Sequence, residues 1–181
     1  PYPRHLSYWP AFIFYTGLIW MELFVLPKPF FLSIMLVTYS AITLAGVVLF
    51  GKDTWFRYGD VFGVFFRLIA KLAPVEYRQV QDGGSWRVRL RPPLVGAQTD
   101  KSEHMSLVLF VLFMLSSTTY DAIHDTVLWI GLFWRQSLLL FQPLWGTDLG
   151  KAQDMLRNWY LVYQRAGLLL SPFLYLGLYL L

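Results

Sequence analysis

The sequence predicts an all-α membrane protein, a helical bundle of about four transmembrane segments with an amphipathic interfacial helix and a possible small β-hairpin. Of its 181 residues, 56% are hydrophobic and only 14% are charged, whereas an average soluble domain has about 25% charged residues. Several apolar runs approach the roughly 20 residues that a helix needs to cross the hydrocarbon layer. The charges are clustered, because nine of the fifteen Lys and Arg lie within residues 52–101. A bilayer is therefore the expected solvent.

Two apolar segments, residues 8–26 and 30–50, indicate a transmembrane hairpin. The first ends at residues 27–29, a Pro-Lys-Pro run, where proline removes backbone donors and ends a helix. Glu22 lies within the first segment. An acid at such a position handles a proton or a cation, or its carboxylate merely reaches the interface from near the end of the span. The second segment carries small residues that let membrane helices approach closely: Ser33, Ser40, Ala41, Ala45 and Gly46.

An amphipathic helix is predicted at residues 53–73, closed by Pro74. Its polar residues recur at steps of three and four around Val64, which places them on one helix face. Such a helix lies along the membrane surface with its charges toward water or headgroups. The alternative packs it inside a bundle, with Asp60 paired to Arg57 or Arg67. The polar positions are Asp53, Arg57, Asp60, Arg67 and Lys71.

The segment at residues 74–103 is predicted to be a basic extramembrane loop. Residues 75–90 alternate loosely around an Asp-Gly-Gly turn at residues 82–84, which indicates a β-hairpin. Three arginines sit two apart and so share one side of a strand, where they could meet anionic lipid headgroups. They are Arg87, Arg89 and Arg91, and an extended linker follows from Pro92.

Membrane orientation follows from the same basic loop. The positive-inside rule places residues 51–103 in the cytoplasm. The chain is then expected in the cell inner (plasma) membrane, and the next span carries the SSTTYDAIHDT end to the opposite face.

The third span is predicted at residues 105–120 and the fourth at residues 160–181, after an amphipathic run. The intervening residues 127–145 are apolar but carry Arg135 near their middle. A charge at the bilayer centre costs at least about 2.5–3.5 kcal/mol, which favours a bent or interfacial element over a span with Arg135 facing a protein interior. The last run is short and lacks a flanking charge, so we expect a fragment of a longer chain. A complete short protein is the alternative.

One polar helix end carries residues suited to chemistry. Asp121 follows Ser117 by four residues, and His124 and Asp125 follow Asp121 by three and four, so these residues can share one helix face. Asp121, His124 and Asp125 could ligate a divalent metal, or Ser117, Asp121 and His124 could form a nucleophilic relay. The plain alternative is a polar helix end at the water interface.

Composition also excludes several classes. The chain has no cysteine, so disulfides and Cys-ligated zinc are excluded. There is no phosphate-cradling glycine motif, and the commitment to a membrane makes nucleic acid a poor partner. The expected partners are the lipid bilayer and other membrane subunits. No cofactor can be assigned.

Three stretches resemble a bacterial multi-pass membrane family that includes the A-type subunit of fenitrothion hydrolase: LAGVVLFGKDTWFRYGDVFGVFFRLIAKLAP, VRLRPPLVG and MLSSTTYDAIHDTVLW. The resemblance covers about two thirds of the chain. It includes Asp60 and Asp121 but not His124, and Ala122 stands where the family pattern has glycine. It implies a membrane organophosphate hydrolase, although most members have no established activity.

Two functions are compatible with these features. The first is a transport-type or membrane-complex component with a polar intramembrane cavity formed by Glu22, Arg57, Asp60 and Asp121. The second is a membrane-embedded hydrolase in which Asp121 acts as general base or metal ligand and Ser117 is a further catalytic candidate.

Overall fold

The computed structural model describes residues 2–3, 5–25, 28–79, 86–92, 95, 104–145 and 149–181, which are mostly helical. The Asp-Gly-Gly turn and most of the linker after Pro92 lie outside these residues. The described elements, in chain order, are α1 (Trp9–Phe24), α2 (Lys28–Phe50), α3 (Lys52–Tyr58), α4 (Val61–Leu72), β1 (Val75–Gln79), β2 (Trp86–Leu90), α5 (Met105–Ile123), α6 (Val127–Trp145) and α7 (Leu149–Leu180).

Three of the described helices are long and apolar enough to cross a membrane: Pro29–Phe50, Met105–Ile123 and Asp154–Leu180. They lie within α2, α5 and α7. Helix α1 is apolar but has only 16 residues, fewer than the roughly 20 of a straight span. The apolar part of α6, Val127–Leu140, is shorter still. The structure therefore supports a helical membrane protein with three candidate spans among the described residues, and the fourth predicted span is not confirmed.

The chain forms two compact units. The first unit comprises Pro1–Leu18 with Pro27–Val108, and the second comprises Ile19–Leu26 with Leu109–Leu181. Helices α1 and α5 each contribute residues to both units.

In the first unit, α2 turns into α3 around a tryptophan held between two glycines. Gly51 makes the turn with a φ of 84°, a left-handed conformation that glycine adopts without steric cost. The Trp55 indole then lies against Gly46 of α2 and against Gly59 after α3. A Cβ at Gly59 would lie 2.6 Å from the indole, and one at Gly46 would overlap it. The absence of both side chains makes this packing possible.

The predicted single helix at residues 53–73 is two helices in the structure, α3 and α4. Gly59 ends α3 with its N–H on the Trp55 carbonyl, and Asp60 begins α4 as an extended N-cap whose side chain accepts from Gly63 N–H. Aspartate is among the best N-cap residues because its carboxylate satisfies an unpaired donor of the first turn. The break takes Asp60 out of the predicted polar face.

Helix α4 is oriented opposite to the prediction. Phe62, Phe66 and Ile69 are exposed, whereas Val64 is buried. Arg67 faces the protein instead of water, since its guanidinium donates to the Tyr8 hydroxyl at 3.2 Å. An apolar outer face with polar groups turned inward fits a helix surrounded by hydrocarbon better than one lying in water.

The predicted β-hairpin is confirmed. Strands β1 and β2 pair antiparallel, from Val75 opposite Leu90 to Gln79 opposite Trp86. Arg87 and Arg89 are exposed on β2, and so are Val88 and Leu90. Arg91 follows the strand, and its guanidinium donates to the carbonyls of Ala70, Lys71 and Ala73 at 3.1 Å each. Arg91 thereby caps the carboxyl end of α4.

In the second unit, an aromatic cluster joins α5, α6 and α7. The Trp129 ring stacks on Tyr163 with centroids 4.8 Å apart and meets Tyr120 edge-on at 5.5 Å. Gly167 of α7 leaves room for it, because a Cβ there would lie 2.7 Å from the Trp129 ring. The Tyr120 hydroxyl donates to the Gln164 carbonyl at 2.6 Å.

Residues 127–145 form helix α6, and Arg135 is exposed on it. The alternative of a span with Arg135 facing a protein interior therefore finds no support in the structure. Downstream, the predicted amphipathic run and the fourth span form one continuous helix of 32 residues with Pro172 inside it. The sequence predicts two separate elements here because the polar first half and the apolar second half of the helix differ in composition.

We predict that Gly46→Ala destabilises the first unit by about 1–3 kcal/mol, the usual effect of forcing an extra carbon into a packed site. Thermal unfolding in detergent, followed by circular dichroism, measures the effect. Gly17→Ala is the matched control, because a Cβ at that helical glycine meets nothing within 4 Å. Equal melting temperatures for the two variants would refute the described packing of Trp55.

Candidate functional site

Asp60 is the most deeply buried of the predicted acidic site residues, with 2% of its surface exposed. Its Oδ1 accepts from the Tyr39 hydroxyl at 2.7 Å and from the Thr43 hydroxyl at 3.4 Å. Its Oδ2 accepts from Gly63 N–H at 2.6 Å. Tyr39 and Thr43 are one turn apart on α2, so both can reach one carboxylate. These hydrogen bonds connect the start of α4 to α2, a candidate membrane span.

The negative charge of Asp60 has no ion pair among the described residues. Neither Arg57 nor Arg67 forms an ion pair with it. The structure therefore agrees with the alternative interpretation, a helix packed inside a bundle, but not with the ion pair expected there. Arg57 is exposed, with its guanidinium 5.3 Å from the Tyr58 ring centre. A carboxylate offers about four acceptor sites. The three hydrogen bonds from described residues leave one of these sites unused.

Asp60 also lines a groove of about 320 Å³ in the first unit. Apart from Asp60, side-chain oxygens in the lining come from Tyr39 and Thr43. The remaining lining is apolar or aromatic, contributed by Leu6, Trp9, Pro10, Ile13, Phe14, Ile42, Trp55, Gly59 and Val61. Its volume is at the small end of the roughly 300–1,000 Å³ of ligand pockets, which are also mostly apolar with a few polar groups.

Aromatic rings surround the carboxylate and its tyrosine partner. Tyr39 contacts Phe14 of α1 and Phe62 of α4, each with ring centroids 5.3 Å apart. The indole Nε1–H of Trp55 is buried and has no hydrogen-bond partner among the described residues. The groove therefore combines a buried anion, two hydroxyl groups and several ring surfaces.

The other members of the predicted cavity are exposed. Glu22 lies on the part of α1 that belongs to the second unit, and Asp121 lies near the end of α5. The side chain of Asp121 is 67% exposed. Of the four residues predicted to line a polar cavity, only Asp60 is buried, and the structure brings it together with Tyr39 and Thr43 instead.

The predicted catalytic residues of α5 make mainly local contacts. The Ser117 hydroxyl is buried and donates to the Met114 carbonyl of its own helix at 3.2 Å. His124 Nδ1 lies 2.8 Å from the Asp121 backbone oxygen and 4.0 Å from its carboxylate, while Nε2 lies 3.4 Å from Asp125. A relay needs a hydrogen bond between the nucleophile and its base, and Ser117 does not bond to His124.

The carboxylates of Asp121 and Asp125 are exposed on either side of the His124 ring. Within the described residues, no group of three or more His, Asp or Glu side chains is arranged to hold a metal ion. The metal site at Asp121, His124 and Asp125 stays a prediction.

The three arginines predicted to bind lipid headgroups divide into two roles. Arg87 and Arg89 are exposed and stay candidates for headgroups. Arg91 uses its Nε and an Nη on helix carbonyls. Unpaired carbonyls and the partial negative charge at a helix carboxyl end both favour a cation there.

Tyr2 lies outside the candidate spans and packs within the first unit. The Tyr2 hydroxyl donates to the Ser7 carbonyl at 2.7 Å, and the ring stacks on Tyr58 at 5.7 Å. Burial, and next the nearby Tyr8, raises the pKa of Tyr2 to about 12. Tyr2 is therefore a neutral hydrogen-bond donor at physiological pH.

Sequence reasoning did not identify Tyr39, Thr43 and Trp55 as site residues. Tyr39 and Thr43 are two hydroxyl side chains at helical spacing within an apolar span, and that signal could have found them. Trp55 gives no comparable signal, because membrane proteins use many tryptophans at interfaces.

Comparison with protein-family models, curated proteins and solved structures found no match for this chain.

We predict that Arg91→Ala destabilises the carboxyl end of α4 by about 1.5–3 kcal/mol, since hydrogen bonds to a charged group contribute about that much. Faster backbone hydrogen exchange in α4 and β1 would report it. Arg91→Lys should rescue the exchange rates only in part, because a single ammonium cannot reproduce the geometry of a guanidinium. Arg87→Ala is the control. Equal exchange in the two alanine variants would show that Arg91 is not a cap.

Proposed function

We propose that this chain is part of a transport-type or membrane-complex component, and that Asp60 is its site for a cationic substrate or ion. The observation that carries the proposal is a buried carboxylate that forms no ion pair with the residues the structure describes, placed in a groove beside a candidate span. Charged groups within membrane-embedded segments are costly, and they usually serve substrate, ion or proton pathways.

The contacts of Asp60 also have a structural explanation, because an N-cap alone stabilises a helix by about 0.5–2 kcal/mol. Capping needs only one carboxylate oxygen and the Gly63 N–H. It does not account for the second oxygen, which receives Tyr39 and Thr43 from another helix. Nor does it account for the groove beside the carboxylate. Both features favour a binding role in addition to the cap.

The membrane arrangement that accompanies this proposal has four spans. Besides α2, α5 and α7, it includes α1, whose 16 apolar residues cross if flanking residues extend the helix or the bilayer thins locally. The basic loop at residues 51–103 then lies on the cytoplasmic side of a cell inner membrane, with α4 packed at that side of the bilayer and Arg87 and Arg89 near anionic headgroups. Other membrane subunits are the expected protein partners.

The hydrolase function implied by the family resemblance is the weaker candidate. Asp121 is largely exposed, and the Ser117 hydroxyl is directed to a backbone carbonyl. At this exposure the Asp121 carboxylate lacks the water-excluding surroundings that hydrolytic sites use to strengthen their electrostatics.

Cation uptake into proteoliposomes tests the proposed function. The purified protein should take up at least one of protons, Na⁺, K⁺ or methylammonium faster than protein-free liposomes do. Asp60→Asn should lower that uptake about tenfold or more, since losing a hydrogen-bonded charge removes at least about 1.5 kcal/mol. Asparagine is also a good N-cap, so this variant is expected to fold.

Asp53→Asn is the matched control, because this carboxylate is exposed on α3 and should leave uptake unchanged. Absence of uptake for all four cations, or full uptake by Asp60→Asn, would reject the proposed function.

The orientation is testable because the chain contains no cysteine. Arg87→Cys should react with a membrane-impermeant maleimide only from the cytoplasmic side, and Asp125→Cys only from the opposite side. Labelling of both from one side would contradict the proposed orientation.

A further inference from the structure

We infer that the groove beside Asp60 binds an organic ammonium compound with an apolar tail, which enters from the bilayer. This inference rests on the proposed function, and it names the chemical class of the ligand. Charge is the first argument for it. Asp60 is an anion whose partners, Tyr39, Thr43 and Gly63, are neutral donors. A cation would compensate a buried charge that neutral hydrogen bonds only solvate.

The lining of the groove favours an organic cation over a bare metal ion. A hard cation such as Ca²⁺ takes six to eight oxygen ligands, and an alkali ion gives up its water only for a similar shell of oxygens. The side chains that line the groove offer oxygens at Asp60, Tyr39 and Thr43. An ammonium group needs far fewer contacts, because it carries three donors and one acceptor site on Asp60 is still unused.

Aromatic side chains complete the match to an ammonium group. Trp9, Phe14 and Trp55 line the groove together with Tyr39. Ring faces attract organic cations within about 6 Å, and more strongly where water is excluded. A bound carboxylate or phosphate would instead meet the negative charge of Asp60 at close range. An anionic lipid is therefore the wrong ligand.

The size and the rim of the groove argue for an apolar tail. About 320 Å³ is far more than an ammonium group alone fills. Ile13 and Ile42 line the groove and are 66% and 43% exposed. Ile42 lies on α2, a candidate membrane span. Exposed aliphatic side chains at the rim would meet hydrocarbon there, so a ligand dissolved in the bilayer can reach the groove without crossing water.

Three eight-carbon probes that differ only in the head group test the inference. Octylamine is protonated at pH 7, because alkyl ammonium groups titrate near pH 10, whereas octan-1-ol is neutral and octanoate is anionic. Binding to the protein in nanodiscs is measured by equilibrium dialysis, with protein-free nanodiscs as the baseline for partitioning into lipid. We expect octylamine to bind at least about tenfold more tightly than octan-1-ol, and octanoate to bind least.

Two variants locate the binding. Asp60→Asn should reduce octylamine binding to the level of octan-1-ol while leaving octan-1-ol unchanged. Ile13→Trp narrows the rim without altering Asp60, and it should weaken both probes. Circular dichroism and size-exclusion profiles confirm that each variant folds. Equal binding of octylamine and octan-1-ol, tighter binding of octanoate, or an amine preference that survives Asp60→Asn would overturn the inference.

The outcome is distinguishable from failure of the proposed function. If octylamine shows no preference while Asp60→Asn still abolishes cation uptake, the ligand class is wrong and the site at Asp60 stands. If neither binding nor uptake depends on Asp60, both proposals fall.

Discussion

The packing of the first unit depends on the hydrogen bonds that hold the carboxylate of Asp60. One oxygen caps the first turn of α4 through Gly63, and the other receives the hydroxyls of Tyr39 and Thr43 from α2. A buried carboxylate without donors costs several kcal/mol, so these contacts must form together with the helix break at Gly59. That requirement accounts for the break and for the position of Asp60 in the lining of the groove.

Much of the fold is encoded in local patterns. Helices α2 and α5 follow from the length and apolarity of their sequences, and the β-hairpin follows from alternation around an Asp-Gly-Gly turn. The break between α3 and α4 also has a signal in the sequence, because glycine at a helix end followed by aspartate commonly marks the end of one helix and the start of the next. The periodicity of residues 53–73 continues across these two residues, so it predicts one helix where the structure has two.

Other features depend on tertiary contacts that no local pattern reveals. Tyr39 is 21 residues from Asp60 in the chain, so its hydroxyl becomes a site residue only once α2 and α4 pack. Arg91 continues the alternation of Arg87 and Arg89 in the sequence. In the structure, however, its guanidinium binds carbonyls at the end of α4 and caps that helix. An amphipathic pattern likewise does not say which face meets water. In a bilayer the apolar face of α4 can be the outer one, with Arg67 turned toward Tyr8.

The most direct test of this account is a double-mutant cycle between Tyr39→Phe and Asp60→Ala, measured as unfolding free energy in mixed micelles. The cycle isolates the interaction between the two side chains from the loss of the N-cap. The expected coupling is about 1.5–3 kcal/mol, the range for a hydrogen bond to a charged group. Single effects that add to within about 0.5 kcal/mol would contradict it.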